Sequence, residues 1–116
     1  MMKNANDTLE GFYGTENYHK HFLGAVYTDG VKTMAERFHC YWLLDVIASH
    51  QTNKKVRFEG FQVWKLQRIK DTKFLVTCDD GNGNIVTQQK IPFSDFNYDE
   101  ATIWFVGGVM LLPSEY

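Results

Sequence analysis

The chain has 116 residues, a formal net charge of −2 and an apolar fraction of 44%, which fit one domain with a substantial core and argue against a basic nucleic-acid coat protein. Two cysteines, Cys40 and Cys78, are too few for the disulfide framework of a small secreted domain. The first residues show no apolar signal segment, and the apolar stretch 103–112 is too short to span a bilayer as a helix. We therefore expect one cytoplasmic domain over 1–116, with reduced thiols and no membrane contact.

The first quarter of the chain predicts two short helices. The sequence Asn-Asp-Thr at 6–8 is typical of a helix cap and predicts a short turn through Phe12. Thr15 is a candidate cap for a second helix. The apolar residues of that helix fall near helical spacing: Tyr18, Phe22, Ala25 and Val26.

Two further helices are predicted before residue 50. Thr28 or Asp29 can cap a helix whose apolar stripe follows the spacing i, i+3, i+4, i+7. Segment 41–48 is apolar nearly all round, with Asp45 as its polar exception, and a helix of that kind is usually buried. The sequence leaves open whether the two helices are continuous or break near His39.

The second half of the chain predicts strands. Segment 51–57 is polar and marks the boundary, and 79–84 (DDGNGN) is a hairpin turn, because Gly and Asn accept positive φ. We expect Pro92 to end the third strand, and a bulge at Gly107-Gly108 to interrupt the last. The strands are expected at 60–69, 73–78, 85–91 and 102–112. The expected fold class is α+β, with N-terminal helices packed on one face of a C-terminal antiparallel sheet of about four strands.

Three motifs resemble metal or catalytic sites without completing one. Asp80-x-Asn82-x-Asn84 begins like a calcium loop, but Ile85 and Ile91 stand where such a loop needs Gly and Glu. The pairs Glu16/His19 and Glu36/His39 share a helical face, yet a di-iron site needs further carboxylates in a four-helix bundle. Cys40 or Cys78 with His39 or His50 could form a nucleophile and base, although a free cysteine is usually a small buried hydrophobe. We expect no catalytic residue, no metal and no cofactor.

Charge is unevenly distributed along the chain. Segment 54–73 has seven basic and two acidic residues, and segment 78–116 has one basic and six acidic residues. Such a dipolar surface can steer a charged partner, and these charges are our candidate partner contacts: Lys54, Lys55, Arg57, Arg68, Asp79, Asp80, Asp95, Asp99 and Glu100.

Basic and aromatic residues also interleave near the first strand, where Phe61, Trp64, Lys65 and Arg68 follow the basic segment 54–57. That combination can neutralise phosphates and stack bases. Because Trp64 and Leu66 share one face of the strand, we expect both to pack under the helices and Arg68 to lie at the rim of that face. Direct nucleic-acid contact is thus a second possibility beside a protein partner.

Several segments together resemble a family of small uncharacterised proteins associated with bacterial plasmids, phages and other mobile elements. They are 10–18 (EGFYGTENY), 27–32 (YTDGVK), 41–49 (YWLLDVIAS), 61–66 (FQVWKL) and 111–116 (LLPSEY). The resemblance covers nearly the whole chain and implies a setting, with no catalytic residues to carry over. Small mobile-element proteins without enzyme motifs often bind host or element machinery, including defence nucleases.

Three functions remain in contention. The resemblance favours a non-enzymatic binding protein of a mobile element, with a protein or ribonucleoprotein partner and an anti-CRISPR-like effect on a host defence nuclease complex. The second function is a small enzyme with a pocket between helices and sheet. The third is a structural or oligomerising subunit that associates through an exposed edge at the last strand, 103–112.

Overall fold

Three α-helices and seven strands make up the regular structure of the described residues of the computed structural model, which are 2–9, 11, 12 and 17–116. The helices are α1 (Asp29–Arg37), α2 (Tyr41–His50) and α3 (Lys54–Arg57), and 3-10 turns cover Ala5–Thr8 and Pro113–Glu115. The strands are β1 (Tyr18–Lys20), β2 (Val26–Thr28), β3 (Phe61–Lys70), β4 (Lys73–Asp79), β5 (Ile85–Ile91), β6 (Glu100–Val106) and β7 (Val109–Leu111).

All seven strands lie in one mixed sheet, in the order β1-β2-β7-β6-β3-β4-β5, where β2 pairs with β7 in parallel and the other neighbours are antiparallel. The expected fold, N-terminal helices on an antiparallel sheet of about four strands, is therefore wrong. The sheet has strands from both ends of the chain, and the three helices are short. The predicted strands near 60–69, 73–78 and 85–91 are confirmed as β3, β4 and β5.

The second predicted helix is in fact a β-hairpin. Gly24 has φ +100°, which turns the chain after β1, and His19 then pairs with Tyr27 across β1 and β2. The prediction rested on apolar residues at near-helical spacing. Two short strands joined by a tight turn can show the same spacing of apolar residues in the sequence. The first predicted helix is also wrong: a 3-10 turn over Ala5–Thr8 stands there, capped by Asn4 rather than by residues 6–8. The proposed cap Thr15 lies outside the described residues.

The last predicted strand divides into two. Gly107 and Gly108 have φ +59° and +83°, the positive values of a two-residue hairpin turn, so the expected bulge is wrong. Val106 pairs with Val109 directly across this turn. Both β6 and β7 lie inside the sheet, and its edges are β1 and β5. The exposed edge at 103–112, on which the oligomerisation hypothesis depended, is therefore not there.

The two central helices are confirmed, and they are separate. The Thr28 hydroxyl accepts a hydrogen bond from the Val31 N–H at 3.2 Å, as expected of the α1 cap. His39 has φ +52°, a left-handed conformation that ends α1 before α2 begins. In α2, Leu44 and Ile47 are fully buried, which confirms its place in the core.

Alternation along β3 divides the sheet into two faces. Trp64 and Leu66 are buried beneath the helices, as predicted, whereas Phe61 and Lys65 point to the opposite side, where no α-helix packs in the described chain. We call these the inner and the outer face. Burial of each large apolar side chain on the inner face contributes on the order of 1.5–3 kcal/mol to stability.

One polar side chain, Gln62, is buried on the inner face and fully bonded. Its Oε1 accepts hydrogen bonds from the Trp64 indole N–H and from Gln51, both at 2.9 Å. Its Nε2 donates to the Val56 carbonyl at 2.9 Å and to Gln51 at 3.0 Å. Because a buried amide without partners would be costly, these bonds fix the position of α2 and α3 over β3.

The chain segment after β7 is locked to the start of α1 by Glu115. Its carboxylate accepts hydrogen bonds from the Thr28 hydroxyl at 2.7 Å, from the Leu112 N–H at 2.8 Å and from the Gly30 N–H at 3.3 Å. A carboxylate at a helix N-terminus also interacts favourably with the helix dipole. A Cβ atom on Gly30 would lie 2.7 Å from Glu115 Oε1 and 2.7 Å from Leu112 Cδ1, so both side chains would have to shift to admit it.

We predict that Gly30→Ala destabilises the protein by about 1–3 kcal/mol, since overpacking costs that much although alanine favours helices. Urea unfolding would measure the loss. Gly60→Ala is the matched control, because nothing lies within 4 Å of its Cβ position and its φ is not positive; its stability should change by less than about 0.5 kcal/mol. Equal stability of the Gly30→Ala variant and the unaltered chain would contradict the lock.

Candidate functional site

A concave surface of about 500 Å³ lies on the outer face of the sheet. We call it the outer groove. Its floor is formed by side chains that three neighbouring strands present side by side, since Val63 pairs with Trp104 on one side and with Asp79 on the other. One residue pair further along, Lys65 lies between Thr77 and Thr102. Its floor thus carries an indole, a lysine and hydroxyl groups.

The first wall of the outer groove is the N-terminal segment. Beyond the end of β7, the Asn6 side chain takes the place of a neighbouring strand on β6: its Oδ1 accepts from the Thr102 N–H at 2.7 Å and its Nδ2 donates to the Thr102 carbonyl at 2.9 Å. Asn4 forms a bridge with Glu100. Because these bonds use backbone groups, the Thr102 side chain stays directed to the outer face.

The opposite wall is the β4–β5 turn. Asp79 accepts from the Gly81 N–H at 2.7 Å, and Asp80 accepts from the Asn82 N–H at 2.8 Å and from the Asn84 amide at 2.9 Å. These bonds, together with the positive φ of Gly81 and Gly83, confirm the predicted hairpin turn. The pKa of Asp80 is held below its ordinary value by the Asn84 side chain and the Asn82 N–H. The wall is therefore well ordered by its own hydrogen bonds.

Three aromatic rings form a cluster at one end of the outer face. The ring centroids of Phe61 and Trp104 are 5.0 Å apart, and Tyr116 lies 5.6 Å from the first and 5.4 Å from the second, each pair edge to face. Tyr116 is 72% exposed, and Trp104 is partly exposed at the floor of the groove. The rings pack against each other too closely to enclose a cation between them, so the cluster is a platform rather than a cage.

Lysines continue from the outer groove toward the sheet edge at β5. Lys65 is exposed in the groove, Lys90 lies opposite Leu75 on the same face, and Lys73 projects from the same side of β4. Ile69 is 63% exposed beside them. Glu100 is the partly exposed carboxylate of β6 on this face. We call Lys65, Lys90 and Lys73 the lysine row.

The basic residues predicted as partner contacts do not form one surface. Lys54, Lys55 and Arg57 are exposed together on α3, and Arg57 lies over the ring of Phe58, 5.3 Å from its centroid. Arg68 is at the other end of β3. Contact of the three α3 residues with a partner remains a prediction.

Arg68 and Asp99 are engaged within the protein. The guanidinium donates to Asp99 at 3.0 Å, to the Phe96 carbonyl at 2.8 Å and to the Tyr98 carbonyl at 2.9 Å, with a further bond to Asp71 O. The Lys3 backbone N–H, and then Arg68, hold the pKa of Asp99 below its ordinary value. Arg68 therefore fastens the loop before β6 to the sheet, in addition to any role at the rim.

The acidic candidates are divided between the two ends of the sheet. Asp79 and Asp80 belong to the β4–β5 turn, whereas Asp95, Asp99 and Glu100 lie at the start of β6 or in the loop before it. Val63 opposite Asp79 and Gln67 opposite Glu100 are four residues apart on β3, roughly 13 Å at about 3.3 Å per residue. Lys65, the first residue of the lysine row, lies on β3 between these two acidic ends.

Both cysteine candidates are buried, and two of the histidine candidates already have hydrogen-bond partners. Burial raises the pKa of Cys40 to about 12 and that of Cys78 to about 12, with nearby carboxylates adding to the second shift. His50 bonds to Gln89 at 2.7 Å, and His19 of the first Glu/His pair bonds to Asp29 at 2.8 Å. Within the described residues no group of three or more His, Cys, Asp or Glu side chains could hold a metal ion. Glu16 of the first Glu/His pair lies outside them.

Sequence reasoning missed Trp104 and the N-terminal wall. The alternation that predicts Trp64 on the inner face also places Phe61 and Lys65 on the outer face. That part of the site could therefore be predicted from the sequence. Nothing in the sequence pairs β6 with β3, or shows that Asn6 replaces a strand beside Thr102. Both facts depend on contacts between distant parts of the chain.

A family model of unknown function, DUF6876, matches residues 3–116. The chain belongs to the DUF6876 family. This confirms the resemblance to an uncharacterised family, whereas the link to mobile elements remains a hypothesis. No match is found among curated proteins. No match is found among solved structures.

None of the helices in the described part of this DUF6876 chain has the length and apolar composition needed to cross a bilayer. The expected cytoplasmic location remains a prediction.

We predict that Arg68→Gln lowers the urea midpoint of the DUF6876 chain clearly, because three carbonyls and Asp99 lose their donor. Lys55→Gln, the same charge change at an exposed site, should leave the midpoint nearly unchanged. Since the folded pKa of Asp99 is lowered, its ion-pair contribution is present at neutral pH and is lost as pH falls through that pKa. A deficit that did not shrink in acid would exclude the ion pair as its cause.

We also predict that both thiols of the native protein resist alkylation at pH 8, since the reactive thiolate is scarce when the pKa is about 12. Mass spectrometry after iodoacetamide treatment should show modification of Cys40 and Cys78 in urea and almost none without it. Fast labelling of either thiol in the folded protein would show that it is accessible and ionised.

Proposed function

We propose that this DUF6876 chain is a non-enzymatic binding protein whose recognition surface is the outer face of the sheet, centred on the outer groove. The observation that carries the proposal is the platform of Phe61, Trp104 and Tyr116 on a face that no described α-helix covers. Exposed aromatic side chains beside polar groups are typical of interfaces, where Tyr and Trp contribute much of the binding energy.

The walls of the groove support the same proposal. Residues from distant parts of the chain are held in place at the groove by hydrogen bonds, Asn6 to the Thr102 backbone and Gly81 to the Asp79 carboxylate. Such a preformed surface loses little conformational entropy when a partner binds. An exposed lysine, Lys65, at its centre adds a charge for orientation.

The finer hypothesis places the protein in a mobile element, where it would inhibit or modulate a host defence nuclease complex in an anti-CRISPR-like way. The sequence resemblance motivates it. Under this hypothesis the acidic residues Asp79, Asp80, Asp95, Asp99 and Glu100 would compete for a basic groove of the partner. Alternatively, the basic segment of Lys54, Lys55 and Arg57 would contact guide or target RNA. Charge reversal at both sets that left every partner interaction intact would exclude this mechanism.

Site-specific photo-crosslinking in cells tests the recognition surface. A benzophenone amino acid at Thr102, in the outer groove, should crosslink one partner at high yield, whereas the same amino acid at Ser49, exposed on α2, should not. A third position, Lys55, tests the α3 segment. Crosslinking from Ser49 or Lys55 with none from Thr102 would contradict the proposal.

We predict that Trp104→Ala abolishes most of the Thr102 crosslink, while Phe22→Ala leaves it unchanged. Phe22 is the matched control because it is 80% exposed at the β1–β2 turn, away from the groove. Thermal unfolding of both variants, followed by circular dichroism, shows whether each remains folded at the temperature of the experiment. A folded Trp104→Ala variant with an undiminished crosslink would refute the role of the platform.

A further inference from the structure

We infer that the outer groove and the lysine row together bind single-stranded nucleic acid, with an unpaired base on Trp104 and the phosphate backbone along Lys65, Lys90 and Lys73. This inference rests on the proposed function, because it names the ligand of the same surface. The interleaved pattern in the sequence indicates Trp64 and Arg68 as nucleic-acid contacts beside Lys65. We replace them with Trp104 and with two further lysines, because Trp64 is buried on the inner face.

The strand register places the platform and the first lysine side by side. Trp104 pairs with Val63, and Lys65 follows two residues later on the same face. Neighbouring strands lie about 4.8 Å apart and alternate residues about 6.7 Å apart, so the two Cα atoms are separated by roughly 8 Å. A base stacked on the indole could therefore place an adjoining phosphate within reach of the lysine amine.

The same register continues the path across the sheet. One row beyond Lys65, the outer face carries Leu75 paired with Lys90, and Lys73 lies two residues before Leu75. The three lysines thus stand on β3, β5 and β4, each about two residues further along the sheet than the one before, and they form a triangle at this end of the outer face. Exposed Ile69 adds an apolar surface beside these lysines. Proteins that bind single-stranded nucleic acid combine such surfaces, with apolar groups that contact the bases and cationic groups that contact the phosphates.

Charge complementarity favours an anionic ligand on this face. Asp79 is 8% exposed and bonded to the Gly81 N–H, so little of its carboxylate is available at the surface. Glu100, the other outward carboxylate of β3, β4 and β6, and Asp80 of the adjoining turn are partly exposed, whereas Lys65, Lys73 and Lys90 are all exposed. Exposed charge along the lysine row is therefore cationic.

The shape of the site favours an unpaired strand over a duplex. A base can stack on Trp104 only when its own face is free, as in single strands and loops. The groove volume of about 500 Å³, between the N-terminal wall and the β4–β5 turn, suits a nucleotide and not a double helix. Thr102 and the Asn4 side chain offer hydrogen bonds there without requiring one base.

Fluorescence anisotropy with a labelled 12-nucleotide oligo-U and the full chain tests the inference. We predict that Lys65→Glu weakens binding about 10-fold or more at 50 mM salt, while Lys55→Glu, the same change on α3, weakens it less than 2-fold. With about three phosphate contacts, log K should fall against log salt with a slope of about −2. A larger loss for Lys55→Glu would overturn the assignment to the outer face.

Trp104 gives an independent readout. Trp104→Ala should weaken oligo-U binding about 10-fold, as loss of one stacked base does, and Trp104→Phe should restore most of the affinity. Bound oligo-U should also quench tryptophan emission in the unaltered chain, and less so in Trp104→Phe, where Trp42 and Trp64 remain. Equal quenching in both would contradict stacking on Trp104.

Competitors separate this inference from the proposed function. Unlabelled single strands should displace the probe, whereas duplex RNA of equal length and poly-glutamate should displace it poorly. Equal displacement by duplex or by poly-glutamate would overturn the inference in favour of a general anion surface or an acidic peptide. Absence of oligo-U binding by folded protein would also overturn it, and a persisting protein crosslink from Thr102 would then leave the proposed function intact.

Discussion

The amide of Gln62 is the interaction on which the arrangement of layers depends. It sits on the inner face of the longest strand, bonded to Trp64 on the same strand, to Gln51 after α2 and to the Val56 carbonyl of α3. An apolar residue there would leave those groups without partners in the core. This amide therefore ties α2 and α3 to the inner face of the sheet, and no α-helix of the described chain packs on the other side.

Packing on the inner face determines which side chains lie on the outer face. Once Trp64 and Leu66 are buried, the pleat of β3 turns Val63 and Lys65 outward, and the neighbouring strand brings Trp104 and Thr102 beside them. A groove arises there because the N-terminal segment and the β4–β5 turn rise on either side. The same alternating pattern thus decides both the packing of the inner face and the composition of the proposed recognition surface.

Local signals in the sequence were sufficient for about half of the fold. Thr28 capped α1 and Pro92 followed β5 as expected, because caps and prolines act within a few residues. The hairpin at Gly24 and the turn at Gly107-Gly108 were misread, since short strands next to glycines resemble helices or bulges in isolation. Less of the candidate site could be predicted from the sequence. Alternation along β3 places Lys65 on the outer face, but Trp104 and Asn6 lie beside it because of contacts between distant segments, which no local pattern encodes.

The parallel pairing of β2 with β7 also constrains how the chain reaches its folded state. Val26 lies opposite Val109, so more than eighty residues separate two strands that touch. The β3–β4–β5 meander can form from neighbouring segments, while the first hairpin has no place in the sheet until β7 has been synthesised. Until then the hairpin stays exposed to solvent. Its apolar tip, Phe22 and Leu23, is exposed even in the final fold. Pairing over so long a separation in sequence slows folding relative to the local β3–β4–β5 meander.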